Sequence, residues 1–144
     1  MESRNGGAGG MKGKVVMVTG ANAGMGKEIS LALAGMGANL VMVSRDRGRG
    51  EAALKDVVSA TGNQQIELLQ GDLSSQDSIR RLVRAFNGKH DRLHVLVNNA
   101  GMSLPTPQAT VDGIETVFAT NHLGPFLPTH LFIPARTAPA PPRA

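Results

Sequence analysis

Short apolar runs alternate along the chain with longer segments in which apolar residues recur every three or four positions. The short runs are rich in Val, Leu and Ile and predict buried strands over residues 14–18, 38–43, 65–69 and 93–97. The longer segments predict amphipathic helices over residues 27–36 and 50–60, a third that begins near Ser74, and a fourth from about Val111. This alternation is the basis of the fold prediction.

Two of the helices carry more specific expectations. Ser74 and Asp77 have the spacing of a capping box and are predicted to start the third helix. The fourth helix is predicted to turn Ile114, Val117 and Phe118 inward, because these three residues share one face at helical spacing.

Strands that alternate with helices are joined by right-handed crossovers, which gives a parallel sheet covered by helices on both faces. The fold class is therefore α/β. The chain is expected to form the N-terminal half of a doubly wound parallel sheet in three α/β/α layers, with strand order 3-2-1-4. Ligands bind such sheets beyond the carboxyl ends of the strands, between strands 1 and 4. Polar or glycine clusters follow all four strands, at residues 20–26, 44–45, 72 and 98.

A glycine-rich turn over residues 19–26 joins the first strand to the first helix. The unpaired N–H groups and the dipole of such a helix N-terminus favour a pyrophosphate. Gly20 permits the tight turn, Gly24 lets phosphate approach the backbone, and Gly26 lets helix and strand lie close together. Glycines also mark ordinary turns, but the flanking strand and helix favour a nucleotide site.

Composition excludes several other functions. The 144 residues contain no cysteine and the four histidines lack metal-ligand spacing, so neither disulfides nor a metal site are expected. The net charge of +4 is dispersed and aromatic residues are scarce, which argues against nucleic-acid binding. No apolar run reaches membrane-spanning length, and residues 1–12 lack the apolar centre of a signal peptide, so a cytoplasmic location is expected.

Four motifs in this order resemble those of the short-chain dehydrogenase/reductase family. They are Thr19-Gly-x-x-x-Gly24-x-Gly26, Asp72-Leu73, Asn-Asn-Ala-Gly at 98–101, and Asn121 within Thr-Asn-His-Leu-Gly-Pro-Phe. The similarity covers roughly residues 13–126, and the segments around residues 44–46 and Asn121 are most similar to the retinol-dehydrogenase-like branch. The resemblance implies a Rossmann fold and hydride transfer between a nicotinamide cofactor and a carbonyl or an alcohol.

The resemblance also implies roles for individual residues. Backbone groups of Asn22 and Met25 would line the pyrophosphate and the adjoining ribose. Asp72 would accept a hydrogen bond from the adenine amino group, with Leu73 against the ring. The positions under the cofactor would be Asn98, Ala100 and Gly101, and Asn121 would be the catalytic Asn. Taken singly, Asp72 and Asn98 are also typical turn residues, and Asn121 fits a satisfied polar group at a helix bend.

Cofactor choice follows from the end of the second strand. An NAD-binding protein usually places an acid there to bind the ribose hydroxyls. This chain instead has Ser44 and Arg45, a small hydroxyl and a guanidinium that can bind a 2′-phosphate. Asp46 lies at the distance expected of an NAD-binding acid but comes after the strand ends. NADP is therefore favoured, and NAD remains an alternative.

The family's remaining catalytic residues are missing from this sequence. Its chemistry requires a Tyr, a Lys four residues later and a Ser, whereas this chain has no Tyr and no Lys after Lys89. Asn121 would be the only member of the catalytic tetrad present. The expected function is that of a truncated reductase that is inactive alone. The alternative is a non-catalytic dinucleotide-binding remnant, or a partner of a full-length relative.

The end of the chain changes in composition. Six of the eight prolines fall between residues 125 and 144, so the helix is not expected to continue there. The predicted organisation is a disordered tail over 1–12, a partial NAD(P)-binding domain over 13–126, and a divergent Pro/Ala-rich tail over 127–144. The strand at 93–97 would be an unpaired apolar edge, which favours association with a second copy or a longer relative.

Overall fold

The structure of the protein is a computed structural model that describes residues 10–137. Within these residues four strands alternate with helices. The elements in chain order are β1 (Val15–Thr19), α1 (Gly24–Gly35), β2 (Asn39–Ser44), α2 (Arg47–Thr61), β3 (Ile66–Gln70), α3 (Gln76–Asn87), β4 (Val95–Val97), α4 (Thr116–Phe118) and α5 (Gly124–Thr137). A π-helical turn, Ala119–Leu123, joins α4 to α5.

The four strands form one parallel sheet in the order β3-β2-β1-β4, which confirms the predicted fold class and strand order. Each strand begins one or two residues later than its apolar run, because the run includes the residue that leads into the strand. Thr19 pairs with Val43 of β2, and Val18 pairs with Val97 of β4. Among the described residues β4 has a strand neighbour on one side only, as expected.

Alternate residues of the central strands enter two separate cores. Met17 lies on the face covered by α3 and α5, where the fully buried rings of Phe86 and Phe132 meet edge to face at 5.1 Å. Val16 and Val18 lie on the face covered by α1 and α2. Burial on both faces explains why the strands read as continuous apolar runs.

Strand β4 is tied to β1 by side chains at both ends. At the start, the Val15 N–H donates to Nδ1 of His94 at 2.9 Å. Burial and the nearby charges of Lys14 and Arg92 lower the pKa of His94, which keeps the ring in the neutral form that accepts this bond. At the far end, the Thr19 hydroxyl donates to the Val97 carbonyl at 3.3 Å.

The start of α3 differs from the prediction by one residue. Ser75, not Ser74, is the N-cap, and its hydroxyl accepts from the Ser78 N–H at 3.3 Å. Asp77 does not complete a capping box but pairs with Arg81 one turn later. The first free N–H, that of Gln76, is bound by Asp112 from a loop far along the chain at 2.9 Å. This distant partner fixes the helix start, and local spacing does not reveal it.

The predicted fourth helix from about Val111 is wrong in its start and in part of its face. Val111 lies in a turn and is 86% exposed, and α4 begins only at Thr116. Phe118 is 50% exposed and stacks on His122 at the surface. Glu115 caps the helix, and the N–H groups of Phe118 and Val117 hold the pKa of its carboxyl below the usual value.

Helix α5 continues through Pro128 to Thr137. The expectation that the prolines stop the helix is therefore wrong for this segment. Its apolar side chains explain this result. Phe132 is fully buried, and Leu127 and Leu131 pack against the same core. Burial of this face outweighs the N–H donors that the prolines lack. The rest of the predicted tail, 138–144, and residues 1–9 lie outside the described residues.

Candidate functional site

The glycine turn leads from β1 into α1 and touches the loop that follows β4. Gly20 and Gly24 have φ values of 64° and 53°, a backbone region that favours glycine. A Cβ on Gly20 would lie 2.9 Å from the Cα of Ala100. A Cβ on Gly24 would meet nothing within 4 Å, so space is open beside the first turn of the helix. The turn is therefore closed on one side by protein and open on the other.

The N-terminus of α1 differs from those of the next two helices. Asp46 caps α2 and Ser75 caps α3 with their side chains. Ala23, at the same position of α1, provides no side-chain acceptor, and the first turn carries no acidic residue. Within the described residues no side chain caps the first N–H groups of α1, and uncapped groups of this kind favour an anion.

Asn99 fixes the shape of this turn, and the sequence analysis gave it no role. Its Nδ2 donates to the carbonyls of Thr19 at 3.0 Å and Gly20 at 3.2 Å. The Thr19 hydroxyl accepts in return from the N–H groups of Asn99 and Ala100, both at 3.1 Å. Thr19 is 1% exposed. In the structure Thr19 holds the loop after β4 against the glycine turn.

Gly26 lies beneath the turn. A Cβ there would come within 3.0 Å of both the Gly20 carbonyl oxygen and the Asn99 amide nitrogen, closer than real Cβ atoms approach. The sequence predicts that Gly26 lets helix and strand lie close together. The structure adds that Gly26 leaves room for the Asn99 side chain.

The turn after β2 places Arg45 on the surface and uses its two neighbours internally. The Ser44 hydroxyl is buried and donates to the Asp46 carbonyl at 2.7 Å. The Asp46 carboxylate accepts from the Arg49 N–H at 2.8 Å as the cap of α2. Asp46 is thus employed as a helix cap, and Arg45 is the exposed charge at the end of the strand.

Asp72 follows β3 and has one carboxylate oxygen to spare. Its Oδ1 accepts from the N–H and the hydroxyl of Ser74, at 2.9 and 2.7 Å. Its backbone N–H donates to the Ser78 hydroxyl at 2.9 Å. Within the described residues Oδ2 has no hydrogen-bond partner. Asp72 is therefore a turn residue that still offers one acceptor to a ligand.

These segments meet around a recess of about 150 Å³ at the carboxyl ends of the strands. Its wall is formed by Gly20, Asn22, Val43, Arg45, Gly71, Asp72, Leu73, Ala100, Gly101, Met102 and Thr120. Seven of the predicted cofactor positions lie together here. The Thr120 hydroxyl is buried and has no partner in the part of the chain that the structure describes. The recess thus exposes polar and backbone groups at the carboxyl ends of the strands.

Two predicted residues point elsewhere. The side chain of Met25 is 73% exposed at the start of α1, and the predicted contact of its backbone with a ligand stays a prediction. Asn98 Nδ2 donates to the Thr129 hydroxyl of α5 at 3.1 Å. That hydroxyl in turn donates to the Pro125 carbonyl at 2.6 Å. Asn98 therefore links the end of β4 to the last helix.

Asn121 lies in the π-helical turn, a distortion that often marks functional sites. Its side-chain amide binds both backbone groups of Met102: Oδ1 accepts from the N–H and Nδ2 donates to the carbonyl, each at 2.8 Å. A Cβ on Gly101 would lie 3.5 Å from the Asn121 oxygen. Asn121 thus braces the loop after β4 at the edge of the recess.

Residues 10–137 contain no cluster of His, Cys, Asp or Glu that could hold a metal ion. No helix within the same range is both long and apolar enough to cross a membrane.

The sequence and the fold both match known dehydrogenases. The family model for short chain dehydrogenase matches residues 14–139. Human retinol dehydrogenase 11 is 44% identical over 133 residues, and human dehydrogenase/reductase SDR family member 13 is 41% identical over 138 residues. A metagenomic short-chain oxidoreductase solved in complex with NADP superposes with a TM-score of 0.75 at 32% identity, over 87% of this chain and 57% of that one.

The matched region is nearly all of this chain but less than half of the curated relatives. It covers 92% of the chain and 42% of retinol dehydrogenase 11, and 96% of the chain and 36% of family member 13. The motifs, the strand order and the family match agree: the chain belongs to the short-chain dehydrogenase/reductase family, in its retinol-dehydrogenase-like branch.

Proposed function

We propose that the recess binds a nicotinamide dinucleotide and prefers NADP to NAD. The observation that carries this proposal is that Gly20 and Asn22, which lead directly into the uncapped N-terminus of α1, line the same recess as the exposed residue Arg45. A pyrophosphate suits the first feature and a 2′-phosphate the second. Asp46, the acid at the distance expected for the ribose of NAD, follows Arg45 and has its Oδ1 bound to the Arg49 N–H as the cap of α2.

Within this proposal the N–H groups of α1 and the backbone of Asn22 and Met25 would hold the pyrophosphate. Asp72 Oδ2 would accept from the adenine amino group, with Leu73 against the ring. The loop with Ala100 and Gly101 would support the nicotinamide half. The bound cofactor would supply or accept the hydride, while these residues bind and orient it.

Replacing Arg45 by Asp is expected to reverse the cofactor preference. A charge-assisted hydrogen bond is worth about 1.5–3 kcal/mol, so the NADPH/NADH affinity ratio should fall by roughly one to two decades. Fluorescence titration of both cofactors measures this ratio. Arg47→Asp is the matched control, because Arg47 pairs with Glu51 on the outer face of α2 and should leave the ratio nearly unchanged. An unchanged ratio in the Arg45 variant would show that Arg45 is only a surface residue.

For the reaction, we propose hydride transfer to a carbonyl or from an alcohol in a longer protein that carries this unit. The names of the relatives make retinol and its aldehyde the first substrates to test. These 144 residues contain no tyrosine, so we expect them to bind NADPH without oxidising it. This missing acid/base also favours the second candidate, a non-catalytic dinucleotide-binding protein.

Incubating the 144-residue chain with NADPH and retinaldehyde, and following NADPH fluorescence, separates binding from turnover. Steady consumption of NADPH above that of the Arg45→Asp variant would mean that the chain is catalytic without a tyrosine. No binding at millimolar NADPH or NADH would refute the proposed function as a whole.

A further inference from the structure

We infer that Gln70 is a positioning residue for cofactor choice: its side-chain amide holds the backbone of Arg45, and through it the guanidinium, at the 2′-phosphate position. This inference rests on the proposed preference for NADP. It concerns a residue at the end of β3 that none of the motifs includes.

The first observation is the way in which the β2–β3 ladder ends. Ser44 and Gln70 are the last paired residues of the two strands. The Gly71 N–H then donates to the Ser44 carbonyl at 3.1 Å, and the chain turns away towards Asp72. Arg45 is the first residue after β2, and the paired backbones of the two strands do not include its carbonyl. Gln70 Nε2 donates to that carbonyl instead, at 3.1 Å.

The second observation is that the neighbouring residues are held by other groups. The Ser44 hydroxyl binds the Asp46 carbonyl, and the Asp46 carboxylate binds the Arg49 N–H. Among the described residues, Gln70 alone donates to the Arg45 carbonyl. Without it the peptide after Arg45 loses its one restraint from the neighbouring strand.

The third observation is that Gln70 lies next to the recess proposed to hold the cofactor. Arg45, Gln70 and Asp72 line a polar recess of about 430 Å³ that shares Arg45 and Asp72 with the recess at the glycine turn. Gln70 is uncharged, so it can fix the Arg45 backbone without attracting or repelling a phosphate itself. The expected effect of Gln70 is therefore confined to the cofactor that Arg45 recognises.

The test is Gln70→Met, which keeps the length of the side chain and removes its donor. We expect NADPH affinity to fall about threefold to tenfold, as for one neutral hydrogen bond, with NADH affinity unchanged. Gln64→Met removes an exposed amide just before β3 and is the matched control. Thermal melting of both variants checks that any change in binding is not a loss of fold.

A double-mutant cycle identifies the route of the effect. In an Arg45→Met background, Gln70→Met should no longer change the NADPH/NADH ratio, since nothing remains to be positioned. A loss that persists there would mean that Gln70 contacts the nucleotide directly, which overturns the inference. The inference is also overturned if the Gln70→Met variant prefers NADPH over NADH as strongly as the wild-type chain does. A wild-type chain that binds both cofactors equally refutes the proposed function, and this inference with it.

Discussion

Replacing Gly26 by alanine is expected to remove most dinucleotide binding and to lower the free energy of unfolding by about 1–3 kcal/mol, the range for overpacking a close contact. The new methyl group would occupy space now held by the Gly20 carbonyl and the Asn99 amide. Either the glycine turn or Asn99 must move, and both define the recess. If the shift of these groups costs cofactor binding a similar 1–3 kcal/mol, NADPH affinity in a titration should fall by about fivefold to 150-fold.

Gly35→Ala is the matched control for this experiment. Gly35 ends the same helix, has ordinary helical φ, and a Cβ there would meet nothing within 4 Å. Alanine at such a position stabilises by about 0.4–1 kcal/mol because it restricts the unfolded chain. NADPH binding should be unchanged. Equal behaviour of the two variants would mean that the space beneath the turn is not needed for the site.

The largest effect on stability is expected from Phe86→Ala, at about 3–5 kcal/mol. Phe86 is fully buried, stacks on His90 with ring centroids 4.7 Å apart, and meets Phe132 edge to face. It joins α3 to α5, so its loss leaves a cavity between two elements that cover the same face of the sheet. Since small domains have about 5–15 kcal/mol of net stability, urea unfolding should show a large fall in midpoint.

Phe126→Ala provides the comparison, because Phe126 lies in α5 but is 64% exposed. Its truncation should change the free energy of unfolding by no more than about 0.5 kcal/mol, the usual size for surface substitutions, and should leave the urea midpoint nearly unchanged. If both variants unfold at the same urea concentration, the α3–α5 contact does not contribute to stability as described.

The strands, their order and the position of the ligand recess could all be predicted from the sequence. Buried parallel strands are continuous apolar runs, and a glycine turn between a strand and a helix is a local signal. Arg45 could be placed as well, since it comes two residues after the end of an apolar run. These features depend on residues adjacent in sequence.

Features that depend on distant partners could not be predicted. From the sequence, Asn99 is only a typical turn residue. The fold shows that its side chain binds the carbonyls of Thr19 and Gly20, about 80 residues earlier in the chain. The sequence predicts Ser74 as the start of α3, whereas the cap is Ser75. The next N–H, that of Gln76, is bound by Asp112 from a distant loop, which the local sequence does not indicate. The prolines between residues 125 and 144 are expected to stop the helix, but α5 continues through Pro128, and Phe132 one turn later is fully buried. In each case tertiary contacts outweigh local preference.

The bonds between Thr19 and Asn99 have a consequence for how the protein folds. These residues are 80 positions apart, so joining them closes a long loop, and its entropic cost must be met before the contact forms. The glycine turn therefore cannot be shaped locally, however strongly its own sequence favours a turn. It takes its final form only when β4 docks beside β1. The shape of the recess is thus a property of the whole half-sheet. Any local unfolding that separates β1 from β4 also abolishes the recess.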